Sequence, residues 1–388
     1  MKDWNKCKLG ELVEIHRGAS PRPIQNFIST EGMPWVKISD ATSNNSRYIQ
    51  STKEFIISDG ISKSVIVNPE DLIVSNSATP GLPRIMKIQA CIHDGWLYFS
   101  NYKNITRDFL YYKFFDIQKN LNNLANGSVF QNLKTDIVKN FDIILPPIKE
   151  QEKIAFILTS IDEKIELNNK INDNLEQQAQ AIFKNWFVDF EPFSGEIPNN
   201  WKVGSLSDIA EITMGQSPDG KTYNEDGIGT VFYQGRAEFG KRYPTRRLFT
   251  TEPKRLAKKF DSLMSVRAPV GDLNIANEDC CIGRGLAAIH SKNNCQSFVH
   301  YTLLSLRQQL DIFNGEGTVF GCINKDALSS MEITIPSDEY LMKFQKVVSS
   351  FDTEIFNRDE ENRALVSIRD SLLPKLMSGE LDVDSVQI

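Results

Sequence analysis

The chain has 388 residues, 40% of them hydrophobic, with a formal net charge of −6 and six cysteines. This length and composition suffice for two ordinary globular domains with apolar cores. The first residues contain no apolar signal segment, and no run approaches the roughly 18 apolar residues that a membrane span needs. The sparse cysteines, without Cys-x-x-Cys spacing, indicate neither a disulfide framework nor a zinc site. We therefore expect a globular cytoplasmic protein.

An internal repeat runs through the chain. Trp4–Pro21 matches Trp201–Pro218 at an offset of 197 residues, and from Asp71 onward the offset is 190, so that Val129-Phe130 matches Val319-Phe320. The first copy therefore carries seven additional residues between Pro21 and Asp71. Matched positions are mainly apolar, glycine or proline, the residues that set cores and turns. The two copies are predicted to share a scaffold and to present different surfaces.

Each copy combines short strands with a helix. Trp35–Ile38, Asp71–Ser75 and Phe141–Leu145 are short apolar runs bounded by turn residues, which predicts strands. Helices are predicted over Arg107–Leu124 and, in the second copy, over Gln296–Phe313. Each copy then ends in a proline-containing segment and leads into a long helical pattern.

Both long helical patterns carry apolar residues at alternating spacings of three and four. Lys149–Val188 lacks glycine and proline, which predicts one rod of about 60 Å at about 1.5 Å per residue. Polar residues interrupt the middle of each heptad seam, namely Asn168, Asn172, Arg358 and Asn362. If the rods pair antiparallel, these polar layers meet and fix the register of a coiled coil. The alternative is two amphipathic helices, each packed on its own domain.

The predicted fold class is α+β. Two homologous, strand-rich globular domains of mixed α/β structure are separated by two long helices that form an antiparallel coiled coil, with a pseudo-twofold internal repeat. The expected boundaries are residues 1–147 for the first domain, 148–190 for the first helical region, 191–336 for the second domain, 337–380 for the second helical region and 381–388 for a tail.

Charge is distributed unevenly, so the negative total does not exclude a polyanionic ligand. Between Gly220 and Val270, eleven basic residues oppose five acidic ones, whereas from Lys149 to Glu196 ten acids oppose five bases. Side chains in the basic segment suit phosphates and base edges. The predicted DNA-contacting residues of the second copy are Gln216, Gln234, Arg236, Lys241, Arg242, Arg246, Arg247, Lys254, Arg255, Lys258, Lys259 and Arg267. Those of the less basic first copy are Arg17, Lys37, Arg47 and Arg84. The alternative is a solvated basic loop.

Catalytic motifs are almost absent. No phosphate-binding loop, dinucleotide fingerprint or nucleophile elbow occurs, and no histidine stands in a metal-binding spacing. One nuclease-like arrangement can be assembled from Asp219, Glu252 and Lys254. Glu-x-Lys triplets are common, so this arrangement remains a minor alternative, and the sequence predicts no catalytic residue and no metal site.

The chain resembles the specificity (S) subunits of type I restriction-modification systems over essentially its whole length. The resemblance is carried by the opening WNKCKLGELVEIHRGASP and its echo WKVGSLSDIAEITMGQSP, by VRAPVG and NSATPG, and by LPPIKEQEKIAFILTSIDEKI. It implies two target recognition domains, each reading one part of a bipartite, asymmetric DNA site. It also implies that the coiled coil sets the gap, and that each helical region docks a methyltransferase (M) subunit, two in all.

The resemblance assigns the chemistry to partner proteins. Restriction and translocation (R) subunits would join for cleavage, and S-adenosylmethionine, ATP and Mg would be used on partner subunits. This chain is expected to bind no cofactor and to be non-catalytic. A rival from another class is a coiled-coil adaptor whose two globular heads bind proteins.

Overall fold

The computed structural model describes residues 4–43, 46–126, 133–315 and 321–386. The chain forms two compact units: unit 1 comprises Met1–Asn169 and Glu360–Ile388, and unit 2 comprises Lys170–Asp359. Each unit therefore contains one copy of the repeat and part of both long helices. The repeated pairs Val129-Phe130 and Val319-Phe320 lie outside the described residues.

Unit 1 is built on two five-stranded sheets. Its described strands are β1 (Asn5–Lys8), β2 (Glu14–Arg17), β3 (Ile28–Ser29), β4 (Met33–Val36), β5 (Tyr48–Ile49), β6 (Glu54–Ile56), β7 (Val65–Val67), β8 (Leu72–Ser75), β9 (Pro83–Met86), β10 (Ala90–Ile92), β11 (Trp96–Ser100) and β12 (Asp142–Leu145). The sheets have the orders β3-β6-β4-β10-β7 and β2-β11-β8-β9-β5, and β1 pairs with β12. Its helices are α1 (Leu9–Leu12), α2 (Ile38–Thr42), α3 (Ser58–Ile61), α4 (Arg107–Asn126), α5 (Thr135–Lys139) and the start of α6 (Ile148–Phe187).

Unit 2 repeats this plan, except that one of its two sheets has four described strands. Its described strands are β13 (Lys202–Ser205), β14 (Ala210–Met214), β15 (Tyr223–Asn224), β16 (Thr230–Tyr233), β17 (Leu248–Thr250), β18 (Leu256–Ala257), β19 (Ser262–Ser265), β20 (Leu273–Ile275), β21 (Cys280–Ile282), β22 (Leu286–Ser291) and β23 (Glu332–Ile335). The sheet orders are β15-β17-β16-β21-β18 and β14-β22-β19-β20, and β13 pairs with β23. Its helices are α7 (Leu206–Ile209), α8 (Gln296–Ser305), α9 (Arg307–Asp311), α10 (Lys325–Ser329) and the first part of α11 (Asp338–Ser378).

Most predicted elements are confirmed. Strands β8 and β12 match two predicted runs except for the first residue of each, and β4 shares only Trp35 and Val36 with the third, since Ile38 begins α2. Helix α4 covers the first predicted helix, and α6 differs by one residue at each end from the predicted rod. The helix predicted over Gln296–Phe313 is wrong in detail, because the structure divides it into α8, α9 and a short 3-10 turn. In α8, seven of the ten residues are buried, so packing on the sheet dominates that segment.

The strand registers of the two units coincide and locate the length difference. Val36 lies opposite Ile92 in a parallel pair, and Tyr233 lies opposite Ile282 in the same way, which makes Val36 and Tyr233 equivalent at an offset of 197. Strands β7 and β18, which flank β10 and β21 on the other side, are equivalent at an offset of 190. The seven additional residues of the first copy therefore lie between β4 and β7, inside the predicted interval.

The two long helices run antiparallel within each unit. In unit 1, Asp162 of α6 pairs with Arg369 of α11, and Asn168 of α6 contacts Asn362. In unit 2, Phe183 of α6 packs on Phe344 of α11 at 5.7 Å between ring centroids, while Leu175 lies in the cluster of Ile355. Because residue numbers rise on one helix as they fall on the other, each unit contains an antiparallel helix pair.

The helices also build the cores. The core of unit 2 joins Phe183 and Phe187 of α6 to Phe298 of α8 and Phe344 of α11, all at most 7% exposed. The core of unit 1 joins Ile154 and Leu158 of α6 to the sheet and to α4. In the described part of the chain, none of the helices is both long enough and apolar enough to cross a membrane.

Candidate nucleic-acid interface

A turn at Gly283–Gly285 brings three backbone segments of unit 2 together. The amide of Gln216 donates to the carbonyl of Ile282 (3.0 Å), and the amide of Gly283 donates to that of Tyr233 (2.8 Å). A Cβ on Gly283 would lie 2.6 Å from the carbonyl oxygen of Gln234, so only glycine permits this approach. The turn is therefore a fixed point where several chain segments meet.

Four exposed polar side chains surround this turn. Gln216 and Gln234 follow the ends of β14 and β16, and Arg284 occupies the turn itself. Arg267 follows Val266, whose amide donates to the carbonyl of Gly285 at 2.9 Å. We call Gln216, Gln234, Arg267 and Arg284 the rim of unit 2. The structure thus brings together three residues that were predicted from the sequence, and adds Arg284.

The sequence analysis missed Arg284. It stands alone between two glycines, outside the basic segment, so neither charge density nor a motif marks it. The signal that could have identified it is the Gly-Arg-Gly triplet directly after a buried strand, because closely packed glycines leave only the central side chain to face solvent. Arg236 lies two residues beyond Gln234, and its guanidinium pairs with Asp272 while remaining 58% exposed.

The remaining exposed basic side chains of the predicted segment fall into two groups. Lys254, Arg255 and Lys258 are exposed, and within residues 4–43, 46–126, 133–315 and 321–386 no acidic group pairs with them. The backbone of Arg255 is tied to the strand that leads into the rim turn, since its carbonyl accepts from the amide of Ile282 at 2.9 Å. Lys259 places its ammonium 4.2 Å from the ring centroid of Phe356.

Other predicted cations are already paired with acids. Arg247 donates to Glu238 at 2.8 Å, Arg246 pairs with Glu278, and Lys241 pairs with Asp173. These side chains remain 43–74% exposed, so water screens each pair and a phosphate could compete for the cation.

Three predicted DNA-contacting arginines are corrected by the structure, because their side chains lie inside the protein. Arg47 is 2% exposed, and its guanidinium carbon lies 5.1 Å from the ring centroid of Tyr111. Arg84 is 5% exposed and donates to the carbonyl of Ala41 at 3.1 Å through Nε. Arg242 has a side chain only 12% exposed, which pairs with Glu176 on α6 and Asp352 on α11. These three arginines contact other groups of the protein and are not available to DNA.

Unit 1 carries a rim on the same backbone frame. The amide of Ala19 donates to Ile92, as that of Gln216 does to Ile282, and the amide of Asn76 donates to Gly95 at 2.8 Å. The rim of unit 1 consists of the four equivalent residues, Ala19, Lys37, Ser77 and Asp94. The same scaffold therefore presents a different set of side chains in each unit.

The rim of unit 1 borders a pocket of about 900 Å³ that includes Ser20, Arg22, Lys37, His93 and Asp94. Burial lowers the pKa of His93, so the imidazole is neutral at pH 7. A hydrogen bond from Ser20, at 2.7 Å, lowers the pKa of Asp94 despite partial burial, so that carboxylate is ionised. Lys37 donates to Glu54 at 2.5 Å.

Arg17, the remaining residue predicted in the first copy, lies at the end of β2. Its Nε donates to the carbonyl of Asp94 at 2.9 Å, and its side chain is 52% exposed. Arg17 thus lies beside the rim of unit 1 and faces solvent.

These side chains have defined recognition chemistry. An arginine fork matches the O6 and N7 acceptors of guanine, and a glutamine amide matches the N6 and N7 pattern of adenine. A carboxylate accepts from the amino group of cytosine. Free lysines neutralise phosphates without reading sequence.

The nuclease-like residues do not form a metal-binding group. Among the residues that the structure describes, no three His, Cys, Asp or Glu side chains are gathered closely enough to hold a metal ion. The Asp219 carboxylate instead accepts from the amide of Lys221 at 3.0 Å and caps a 3-10 turn.

Comparison with known proteins was made for the whole chain. The family model described as type I restriction modification DNA specificity domain matches residues 1–177 and 198–363. The type I restriction enzyme MjaIX specificity subunit of Methanocaldococcus jannaschii is 27% identical over 99% of this chain and 95% of its own length.

Two further proteins are similar. The putative type I restriction enzyme MjaX specificity subunit of the same organism is 36% identical, over 63% of this chain and 60% of its own length. The crystal structure of a type I restriction-modification system S subunit from M. genitalium shares the fold, with a TM-score of 0.61 at 18% identity over 96% of both chains. The chain therefore belongs to the type I restriction-modification specificity-subunit family, with one DNA specificity domain in each copy of its repeat.

Proposed function

We propose that this chain selects the DNA sequence for a type I restriction-modification complex, with each recognition domain reading one half of a bipartite, asymmetric site. As a member of the specificity-subunit family, the chain is a DNA-recognition component and not itself an enzyme. The two half-sites are read by the two rims defined above. Because DNA is its ligand, we place the chain in the cytosol.

The observation that supports this proposal is the pair of rims. Equivalent backbone hydrogen bonds hold the two turns, yet Gln216, Arg267 and Arg284 of one rim correspond to Ala19, Ser77 and Asp94 of the other. A protein that bound the same ligand twice would repeat these side chains. Two rims of one geometry and different chemistry suit two similar stretches of duplex with different bases.

Phosphate contacts would orient the DNA on unit 2. Lys254, Arg255 and Lys258 are exposed cations on the segments flanking β18, the strand that pairs with β21 before the rim turn, and none has an acidic partner among the described residues. They can neutralise backbone phosphates while the rim side chains reach base edges. This division predicts that affinity and sequence preference respond to different substitutions.

We assign the helix pairs to spacing and to partner binding. An antiparallel coiled coil resists bending, so it can keep a constant gap between half-sites where a flexible linker could not. Phe156 and Leu167 of α6 are 68% and 53% exposed and lie eleven residues apart, which places them on one face. Such apolar side chains suit protein partners. We propose two M subunits as those partners.

The remaining subunits and cofactors follow from this assignment. R subunits would join the complex for DNA cleavage. S-adenosylmethionine, ATP and Mg would be bound by the partner subunits, where methyl transfer and cleavage would take place. The M subunit would flip the target adenine out of the duplex before methylating it.

Mapping methylated adenines across a genome tests the proposal. Cells that express the M subunit of the system would be compared with and without this chain. We expect methylation at one bipartite sequence with a fixed gap only when the chain is present. Methylation at an uninterrupted site, or an identical pattern without the chain, would contradict it.

A further inference from the structure

Arg284 and Asp94 occupy the same position in the two units. Each follows a parallel-paired strand, Ile282 and Ile92 being its last residues, and each precedes a glycine whose carbonyl accepts a similar backbone hydrogen bond. The two bonds measure 2.9 Å in unit 2 and 2.8 Å in unit 1. The same backbone position therefore carries a negative side chain, Asp94, in unit 1 and a positive one, Arg284, in unit 2.

The two side chains differ in how they are satisfied. Asp94 accepts from Ser20 at 2.7 Å and lies 3.7 Å from the guanidinium of Arg22. Arg284 is exposed, and no acidic or carbonyl partner contacts its side chain among the described residues. Five N–H donors on a planar fork thus stand unused at the centre of the rim of unit 2.

We propose that Arg284 is the specificity-determining residue of the second recognition domain and reads a guanine through the major groove. This inference rests on the proposed function, and it adds the identity of one base and its reader. The guanidinium would donate to O6 and N7 of that guanine.

Its surroundings favour a base over a phosphate. Arg284 is held between two glycines at the meeting point of three backbone segments, so its Cα is fixed. Two of its three neighbours on the rim, Gln216 and Gln234, carry neutral amides, and the third, Arg267, carries a guanidinium fork that also matches base edges. The cations assigned to phosphates, Lys254, Arg255 and Lys258, lie on the segments that flank β18.

The test compares the complete complex of M subunits with either the wild-type chain or Arg284→Ala. The wild-type methylation map defines the site, and duplexes carrying that site are then used in binding assays. We expect Arg284→Ala to relax one guanine in one half-site and to leave the other half-site unchanged. At that position, discrimination against other bases should fall roughly 5- to 150-fold.

Duplexes carrying 7-deazaguanine at that position provide a second measurement, because this base keeps Watson–Crick pairing but lacks the N7 acceptor. It should weaken binding of the wild-type complex and add no loss for Arg284→Ala. Lys325→Ala removes another exposed charge of unit 2 and serves as the matched control. It should leave base discrimination intact.

Several outcomes would overturn the inference. The first is that Arg284→Ala weakens DNA binding equally on all sequences, which would indicate a phosphate contact. The second is that Arg284→Ala leaves the base preference unchanged. The third is that the wild-type site contains no guanine. The proposed function fails separately, if the wild-type complex itself shows no bipartite specificity. If Arg284→Ala does not assemble into the complex, the 7-deazaguanine duplexes test the inference with the wild-type complex alone. Wild-type binding that is undiminished by 7-deazaguanine at every guanine of the site would contradict the assignment.

Discussion

Arg47 and Arg242 occupy equivalent places in the two units, and both are turned inward. The carbonyl of Arg47 accepts from the amide of Ile85, and that of Arg242 accepts from Ile275, each at 2.9 Å. One guanidinium lies among tyrosine rings and the other pairs with acids on two helices. An arginine at this position therefore anchors a loop of each domain to its helical framework.

Replacing Arg242 with alanine should destabilise unit 2 strongly. The change leaves Asp352 and Glu176 without their buried counter-charge, and breaking a buried pair in this way costs about 3–5 kcal/mol in free energy of unfolding. Urea unfolding followed by tryptophan fluorescence would measure it, since Trp186 and Trp201 lie in unit 2. The control is Arg246→Ala, whose pair with Glu278 is exposed and should cost about 0–1 kcal/mol. Equal effects would contradict the anchoring role.

The Asn168–Asn362 contact should show non-additive energetics. Asn168 is fully buried and donates to Oδ1 of Asn362 at 2.9 Å and to Glu361 at 2.7 Å. Asn168→Leu should cost about 1–3 kcal/mol of unfolding free energy, because it leaves the buried Oδ1 of Asn362 without this donor. Asn168→Leu combined with Asn362→Leu should cost less than the sum of the single changes. Thermal unfolding of the wild type, the two single variants and the double variant gives the coupling energy of the pair. Additive effects of the two substitutions would argue against a register-fixing pair.

Salt dependence should separate the phosphate contacts from the rim. Removing Lys254 and Lys258 together should reduce the slope of log affinity against log salt by about 1.8, at about 0.9 for each phosphate contact, with equal losses on all sequences. Fluorescence anisotropy of the complete complex between 50 and 200 mM salt measures the slope. Lys343→Ala, on α11 and paired with Glu339, is the control and should leave it unchanged. A change of preferred sequence would place these lysines at base edges.

His300 should make unit 2 acid-sensitive. Burial and the nearby charge of Arg242 lower the pKa of His300 to about 3, whereas an unfolded histidine titrates near 6.5. Between these values the unfolded chain binds a proton that the folded chain excludes, so stability falls as pH decreases from about 6.5 towards 3. At most, this histidine removes about 1.4 kcal/mol per pH unit.

The histidine contribution can be isolated by substitution. His300→Leu supplies the residue found at the equivalent buried position, Leu110, and Ser262 keeps its hydrogen bond from Gln296. Compared with pH 7.5, the wild type should lose about 2 kcal/mol more than this variant at pH 5. Urea unfolding at the two pH values gives both numbers. His16→Gln, at a partly exposed position of unit 1, is the control, and parallel pH profiles for wild type and His300→Leu would refute the prediction.

The sequence predicted the scaffold because the scaffold is local and duplicated. The heptad seam and the absence of glycine and proline over Lys149–Val188 predicted α6 to within one residue at each end, and the repeat gave the second set of elements from the first. The contact between Asn168 and Asn362 follows from the same seam once the helices run antiparallel. The periodicity of the sequence thus predicts both long helices and the position of the Asn168–Asn362 contact between them.

The site was predicted less well, since local charge does not reveal distant partners. Arg242 stands in a run of cations like its neighbours, but its acidic partners Glu176 and Asp352 come from two different helices. The burial of Arg47 depends on tyrosines of α4, which follow it by some sixty residues. Arg284 was missed for the opposite reason, because backbone packing at a turn, and not local charge, sets its position.

The division of the chain into units has a consequence for its synthesis. Residues 360–386 complete unit 1, where Val383 is 5% exposed and Leu376 is fully buried in the core of the first domain. A ribosome makes unit 2 entirely before it reaches these residues. The core of unit 1 is therefore incomplete, with apolar side chains exposed, until unit 2 has been synthesised.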